Sequence, residues 1–105
     1  MYIELDPILL SNARLSIMSL LNIHDEADFM FMQKELKITV GNLSTQLNKL
    51  QQVDYVLITK QFKGNYPLTI CKITNKGKLM LAEFFVAINS YDRNKEKLID
   101  YQLES

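Results

Sequence analysis

Residues 38–50 read ITVGNLSTQLNKL, and what this stretch builds decides the rest of the chain. Leu43, Leu47 and Leu50 recur at i, i+4 and i+7, so they share one helical face and point into a core. Opposite them the wheel carries Gly41, Thr45, Asn48 and Gln52, flanked by Asn42 and Lys49, none with a bulky apolar side chain. Thr39 stands where a hydroxyl accepts from an unpaired first-turn amide, which sets the start. A helix with a leucine inner edge and a small, polar outer edge suits a grooved polar partner. Residues 39–53 are therefore predicted to form a nucleic-acid recognition helix.

Upstream, residues 29–36 (FMFMQKEL) place Phe29, Met32 and Leu36 at helical spacing, with Met30 and Phe31 beside them, and predict a second helix. Lys37-Ile38-Thr39 makes a short connection, and two helices so joined form a helix-turn-helix. Residues 22–28 (NIHDEAD) read as an acidic, polar connection, extended at Asp28 and Phe29. A first helix is expected from Pro7, capped by Asp6, to about Leu21, because Leu10, Ala13, Ile17, Leu20 and Leu21 recur at threes and fours.

Downstream, the recognition helix is expected to reach Val53, with Asp54 in the left-handed conformation that ends many helices. From Tyr55 the period becomes two: Val56 and Ile58 alternate with Leu57 and Thr59, then Thr69, Cys71 and Ile73 with Leu68, Ile70 and Lys72. Gly64-Asn65-Tyr66-Pro67 supplies turn chemistry, so residues 56–73 are predicted to be a β-hairpin whose pairing Pro67 ends. Thr74 offers a cap to a last helix carrying Leu81, Phe84, Phe85, Ile88 and Tyr91, and Leu98 and Ile99 restore the spacing beyond a polar DRNKEK segment. The expected fold is mainly α with a β-hairpin (α+β), one domain over residues 1–105, with 5–74 as core and hairpin and 75–103 as the terminal helix. So apolar a terminal helix predicts pairing with the first helix and with a second subunit, through Leu9, Leu81, Phe84, Phe85, Ile88 and Tyr91.

A chain of 105 residues with 48% hydrophobic content matches a single domain with a real core. No apolar run approaches the roughly 20 residues of a membrane helix, and the opening MYIELDP lacks the basic and apolar regions of a signal peptide. No membrane contact and a cytoplasmic location are expected. Cys71 is the only cysteine, which excludes an intrachain disulfide, and its inward register beside Ile73 predicts a buried, inert thiol. His24 lies beside Asp25, Glu26 and Asp28 in what reads as an exposed turn, so neither metal nor cofactor is assigned. With one His, one Cys and no glycine-rich phosphate loop, nucleophilic and metal-assisted chemistry lack parts, and no enzyme is expected.

The formal charge is zero overall, but it is segregated. Residues 1–36 carry two basic side chains against six acidic ones, a net of −4. Residues 37–80 carry seven lysines against Asp54 alone, a net of +6, and residues 81–105 three basic against five acidic, a net of −2. The positive block coincides with the predicted recognition helix and hairpin, the electrostatic footprint of a surface that neutralises DNA phosphates.

Several motifs resemble small stand-alone winged-helix DNA-binding proteins related to the MarR and ArsR groups. Leu5-Asp6-Pro7, Arg14-Leu15 with Ile17-Met18, and Phe29 ahead of Glu35-Leu36 look like their opening. Thr39-x-Gly41-Asn42-Leu43-Ser44-x-x-Leu47-x-Lys49-Leu50 with Tyr55-Val56 is similar to their recognition helix. Lys60-x-Phe62-x-Gly64, Pro67-x-Thr69, and Thr74 with Gly77 resemble their wing and the start of their last helix. The resemblance covers residues 5 to about 90 and implies a winged helix-turn-helix that binds specific DNA and represses or activates nearby genes. The chain departs from it at Gln46 and Asn48, where His and Arg are frequent, at Asn65, Tyr66 and Leu68, where basic residues are frequent, and at Asp54, where Gly is usual. Fewer phosphate contacts are the expected result.

In such a docking Asn42, Thr45 and Asn48 are the expected base readers. Thr39 and Ser44 donate to phosphates, Gly41 permits close backbone approach, and Lys49, Lys60 and Lys63 neutralise phosphates, with Asn65 near the wing tip. A homodimer would read a roughly palindromic site in double-stranded DNA, its half-sites one helical turn apart. Two other readings stand beside this one. One is a winged-helix adaptor that contacts proteins, which the weak wing charge favours and the +6 block opposes. The other adds to the first: a small-molecule effector in a pocket lined by the Met and Phe residues of the second helix with Phe85 and Tyr91, shifting the spacing of two recognition helices.

Overall fold

Among the described residues the order is α1 (Asn12–His24), β1 (Glu26–Asp28), α2 (Phe29–Leu36), α3 (Val40–Gln52), β2 (Val56–Lys63), β3 (Tyr66–Ile73) and α4 (Asn75–Glu104). The computed structural model describes the backbone of residues 2–104 and the side chains of residues 2–92. The expected contribution of Leu98 and Ile99 lies outside the described side chains. No helix among the described residues is long and apolar enough to cross a membrane. The expected α+β winged-helix architecture is the one observed.

The first helix starts later than its Asp-Pro signal suggests. Asp6 Oδ1 accepts from the Ile8 amide at 2.9 Å and its carbonyl from the Leu9 amide at 3.1 Å, so Asp6 closes a turn instead of capping a helix. Its second carboxylate oxygen accepts from the Tyr55 hydroxyl. Ser11 is the actual cap, accepting from the Arg14 amide at 3.3 Å. At the other end α1 continues past Leu21 to His24 and stops where Asp25 takes a positive φ of 64°.

The expected polar connection then contains a strand. β1 pairs antiparallel with β3, Glu26 opposite Lys72 and Asp28 opposite Ile70, giving the sheet order β1-β3-β2. Three residues reading Glu-Ala-Asp carry no alternation, and the strand exists because β3 offers an unpaired edge. Asp28 also caps α2, accepting from the Phe31 amide at 2.9 Å. Lys37, left-handed at φ 52°, ends α2, and Thr39 starts α3 by accepting from the Asn42 amide at 3.2 Å. Leu43, Leu47 and Leu50 are buried as the periodicity predicts, each worth about 2 kcal/mol in removed apolar surface.

The hairpin pairs Val56 with Ile73 through Lys63 with Tyr66, closed by the two-residue turn Gly64-Asn65 with Gly64 at φ 62°. Pro67 does not end the pairing: it lies within β3, opposite Phe62. Because β1 reaches only Ile70–Lys72, β3 has an open edge at Pro67, where a missing amide donor is tolerated. Val56, Cys71 and Ile73 face the core, and Leu57 faces out.

Asp54 adopts the expected left-handed conformation, φ 68°. Its carbonyl accepts from Thr74 Oγ1 at 2.6 Å, while Thr74 accepts from the Gly77 amide at 2.9 Å and caps α4. This docking brings the two backbones so close that a Cβ on Gly77 would lie 2.2 Å from the Tyr55 carbonyl oxygen. Only glycine fits there. Three residues expected at a subunit interface, Leu9, Leu81 and Phe84, are 0%, 2% and 5% exposed within the single chain. They complete its own core, because the turn at Asp6 and the first turns of α4 close over α1, and they offer no area to a second copy.

Candidate nucleic-acid interface

The interface is built on the leucine edge of α3, which fixes that helix in the core and leaves its other edge in solvent. Thr39, Gly41, Asn42, Ser44, Thr45, Asn48 and Lys49 are all exposed. Gly41 has nothing within 4 Å of where a Cβ would stand, so its backbone is open to close approach. Thr45 donates its hydroxyl proton to the Gly41 carbonyl at 2.9 Å, so outward it offers a methyl group and an acceptor. Ser44 and Asn48 line a groove of about 410 Å³ with Lys60 and Thr69 of the hairpin, floored by Phe29, Val40, Leu47 and Ile58. α3 and the inner face of the hairpin thus share one groove. Lys63 and Asn65 stand exposed at the hairpin's end. Thr39 and Asn42 line a separate cleft of about 370 Å³ with Lys37 and the start of α1.

The +6 block divides on folding. Lys78 pairs with Asp25 at 3.0 Å, Lys76 sits 5.8 Å from the centre of the Tyr55 ring, and Lys72 is in register with Glu26. Lys37, Lys49, Lys60 and Lys63 remain for the surface of α3, its turn and the wing. The wing also carries exposed apolar groups: Leu57, Phe62 and Tyr66 are 54%, 74% and 64% exposed.

Two side chains hold this surface in place that periodicity did not single out. Gln51 Oε1 accepts from the Ile58 amide at 3.0 Å, which ties the end of α3 to the edge strand of the wing. Arg14 reaches from α1 to Gln46 at 2.7 Å. The pairing joins residues 32 positions apart, and its only sequence signal was the unusual Gln at position 46. The soft side chains of α2 do not converge on one pocket: Met32 is in the core, Phe29 lines the wing groove and Phe31 packs edge-on against His24 at 5.4 Å. Among the described residues no group of three metal-ligating side chains comes together.

A helix-turn-helix followed by a hairpin that shares a groove with its second helix is the architecture of a winged helix. Residues 13–91 match the family model described as winged helix DNA-binding domain, and the chain belongs to that family, one of DNA-binding regulators and not of enzymes. It is 32% identical over 86 residues to an uncharacterised protein of Methanocaldococcus jannaschii, covering 82% of this chain and 94% of that protein. Its fold is similar to a transcriptional regulator homologue from Pyrococcus horikoshii OT3, at TM-score 0.79 and 29% identity, over 83% of this chain and 86% of the other. It also resembles the overoxidized AbfR bound to DNA, at TM-score 0.70 and 20% identity over 90% and 69% of the two chains.

Proposed function

We propose that this chain is a sequence-specific regulator of transcription that binds double-stranded DNA as a homodimer, with α3 in the major groove and the hairpin on the backbone. The observation that carries the reading is the groove shared by Ser44, Asn48 and Lys60, which puts a polar helix edge and a wing cation on one surface. Asn42, Thr45 and Asn48 read base edges, while Thr39, Ser44, Lys49, Lys60, Lys63 and Asn65 contact phosphates. Phe85, Ile88 and Tyr91, each at least 40% exposed, form the subunit contact. An effector belongs to the same reading. A ligand in the cleft of about 710 Å³ bounded by Asp6, Tyr55, Met80 and Phe84 would touch both the α3–β2 corner and α4, and so bias the spacing of two recognition helices.

The exposed Leu57, Phe62 and Tyr66 favour a second reading, a winged-helix adaptor whose hairpin meets a protein. Selection from random duplex DNA at low and moderate salt separates the two. For the regulator, the native chain enriches a palindromic sequence, Asn48→Ala loses preference at one position of each half-site, and Lys63→Ala binds more weakly to every sequence with a salt slope smaller by about one. Absence of any enriched sequence at either salt, with the dimer intact, supports the adaptor.

A further inference from the structure

The polar edge of α3 is not a row of independent side chains. Arg14 Nε donates to the Ile8 carbonyl at 2.6 Å, Arg14 Nη1 donates to Gln46 Oε1 at 2.7 Å, and Gln46 Nε2 donates to Asn42 Oδ1 at 2.9 Å. The Asn42 backbone amide is in turn held by the Thr39 hydroxyl. A guanidinium has donors and no acceptor, which fixes the sense of every bond after it. Only the oxygen end of Gln46 can face Arg14, so its amide nitrogen must face Asn42. Asn42 must answer with its oxygen, and its own amide nitrogen is left pointing away from the chain of bonds. Asn42 is exposed, whereas Arg14 and Gln46 are partly buried, so the order set inside reaches the surface as a single polarity.

We propose that Gln46, held by Arg14, is a positioning residue that makes Asn42 present a donor to the major groove. The proposal rests on the reading of α3 as the recognition helix and adds the kind of base edge it selects. Guanine offers two acceptors, N7 and O6, on that edge, and cytosine offers its N4 donor alone. Adenine N7 and thymine O4 offer one acceptor each, so a donor-presenting Asn42 favours guanine over cytosine and rejects cytosine alone outright. An asparagine free to turn over would accept from cytosine or pair with both adenine groups, and the position would be read loosely.

The test is selection from random duplex DNA with the native chain, Asn42→Ala, Gln46→Met and Gln46→Glu. Asn42→Ala identifies the position it reads. Gln46→Met keeps length without polarity, and Gln46→Glu keeps Arg14 anchored through an ion pair while removing the donor to Asn42. The native chain should prefer guanine over cytosine there by about tenfold or more. Both Gln46 variants should keep the rest of the selected sequence and lose that preference, and Gln46→Glu should retain the native melting temperature. A native-like profile in Gln46→Glu and Gln46→Met overturns the proposal, as does a native preference for cytosine at that position. A native chain that enriches no sequence overturns the DNA reading itself, and this proposal with it.

Discussion

A methyl group added at Gly77 would lie 2.2 Å from the Tyr55 carbonyl oxygen and 3.0 Å from Met18 Cε, while one added at Gly41 meets nothing within 4 Å. The first obstacle is backbone held by the Asp54–Thr74 contact and cannot turn aside. Gly77→Ala should therefore part α4 from the α3–β2 corner and cost about 3 kcal/mol, read as a lower urea midpoint. Gly41→Ala should act in the opposite sense on stability, raising it by about 0.5–1 kcal/mol through helix propensity. If Gly41 faces a DNA backbone, the same change should weaken binding, so stability and affinity would move in opposite directions within one variant. Equal or tighter binding by Gly41→Ala would remove that glycine from the interface.

At the level of elements, the sheet and the corner beside it hold two groups in their neutral forms. Burial, with a smaller contribution from the Asp28 charge, pushes the Cys71 thiol up from 9.0 to about 11. The Tyr55 phenol is raised above its ordinary 10.0 by burial first, then by its bond to Asp6 and the charges of Asp6 and Glu83. The unfolded chain gives up both protons at lower pH than the folded one does. Stability is thus fully present below about pH 9 and falls as pH rises through 9 to 11 and beyond, which unfolding midpoints across that range would show. Tyr55→Phe should flatten the upper part of the fall, and should cost about 1–2 kcal/mol at neutral pH for the lost bond to a carboxylate. Which elements the chain announces follows the same local logic. The bounds of α2, the Thr39 cap, the buried leucines and the left-handed Asp54 all depend on residues within one turn of each other, and pattern alone finds them. β1 depends on the open edge of β3, some 45 positions on, and leaves no alternation to detect. Asp6 has the chemistry of a cap, but Tyr55 and Ile8 claim its carboxylate. Most of the exposed edge of α3 could be read as the complement of its leucines, whereas the Arg14–Gln46 contact could not, because packing of α1 on α3 chooses the partner.

The whole molecule extends 70 × 25 × 20 Å, and α4, at 30 residues, is about 45 Å long, longer than the body that its first turns cover. Phe85 and Ile88 are 44% and 40% exposed on it, Val86 67%. Replacing Phe85 and Ile88 together with glutamate should leave the core intact and, for a homodimer, yield a monomer by sedimentation with weakened selection of palindromic DNA. Unchanged mass in solution would place the subunit contact elsewhere. The short strand β1 bears on the opposite end. It grips β3 only at Ile70–Lys72, and Gln51 holds β2 only at Ile58, so beyond these two clamps the hairpin is a cantilever. Nothing in the core registers what is spliced in at Gly64-Asn65, and this lets the overhang be lengthened, shortened or rewritten while the anchored frame stays the same.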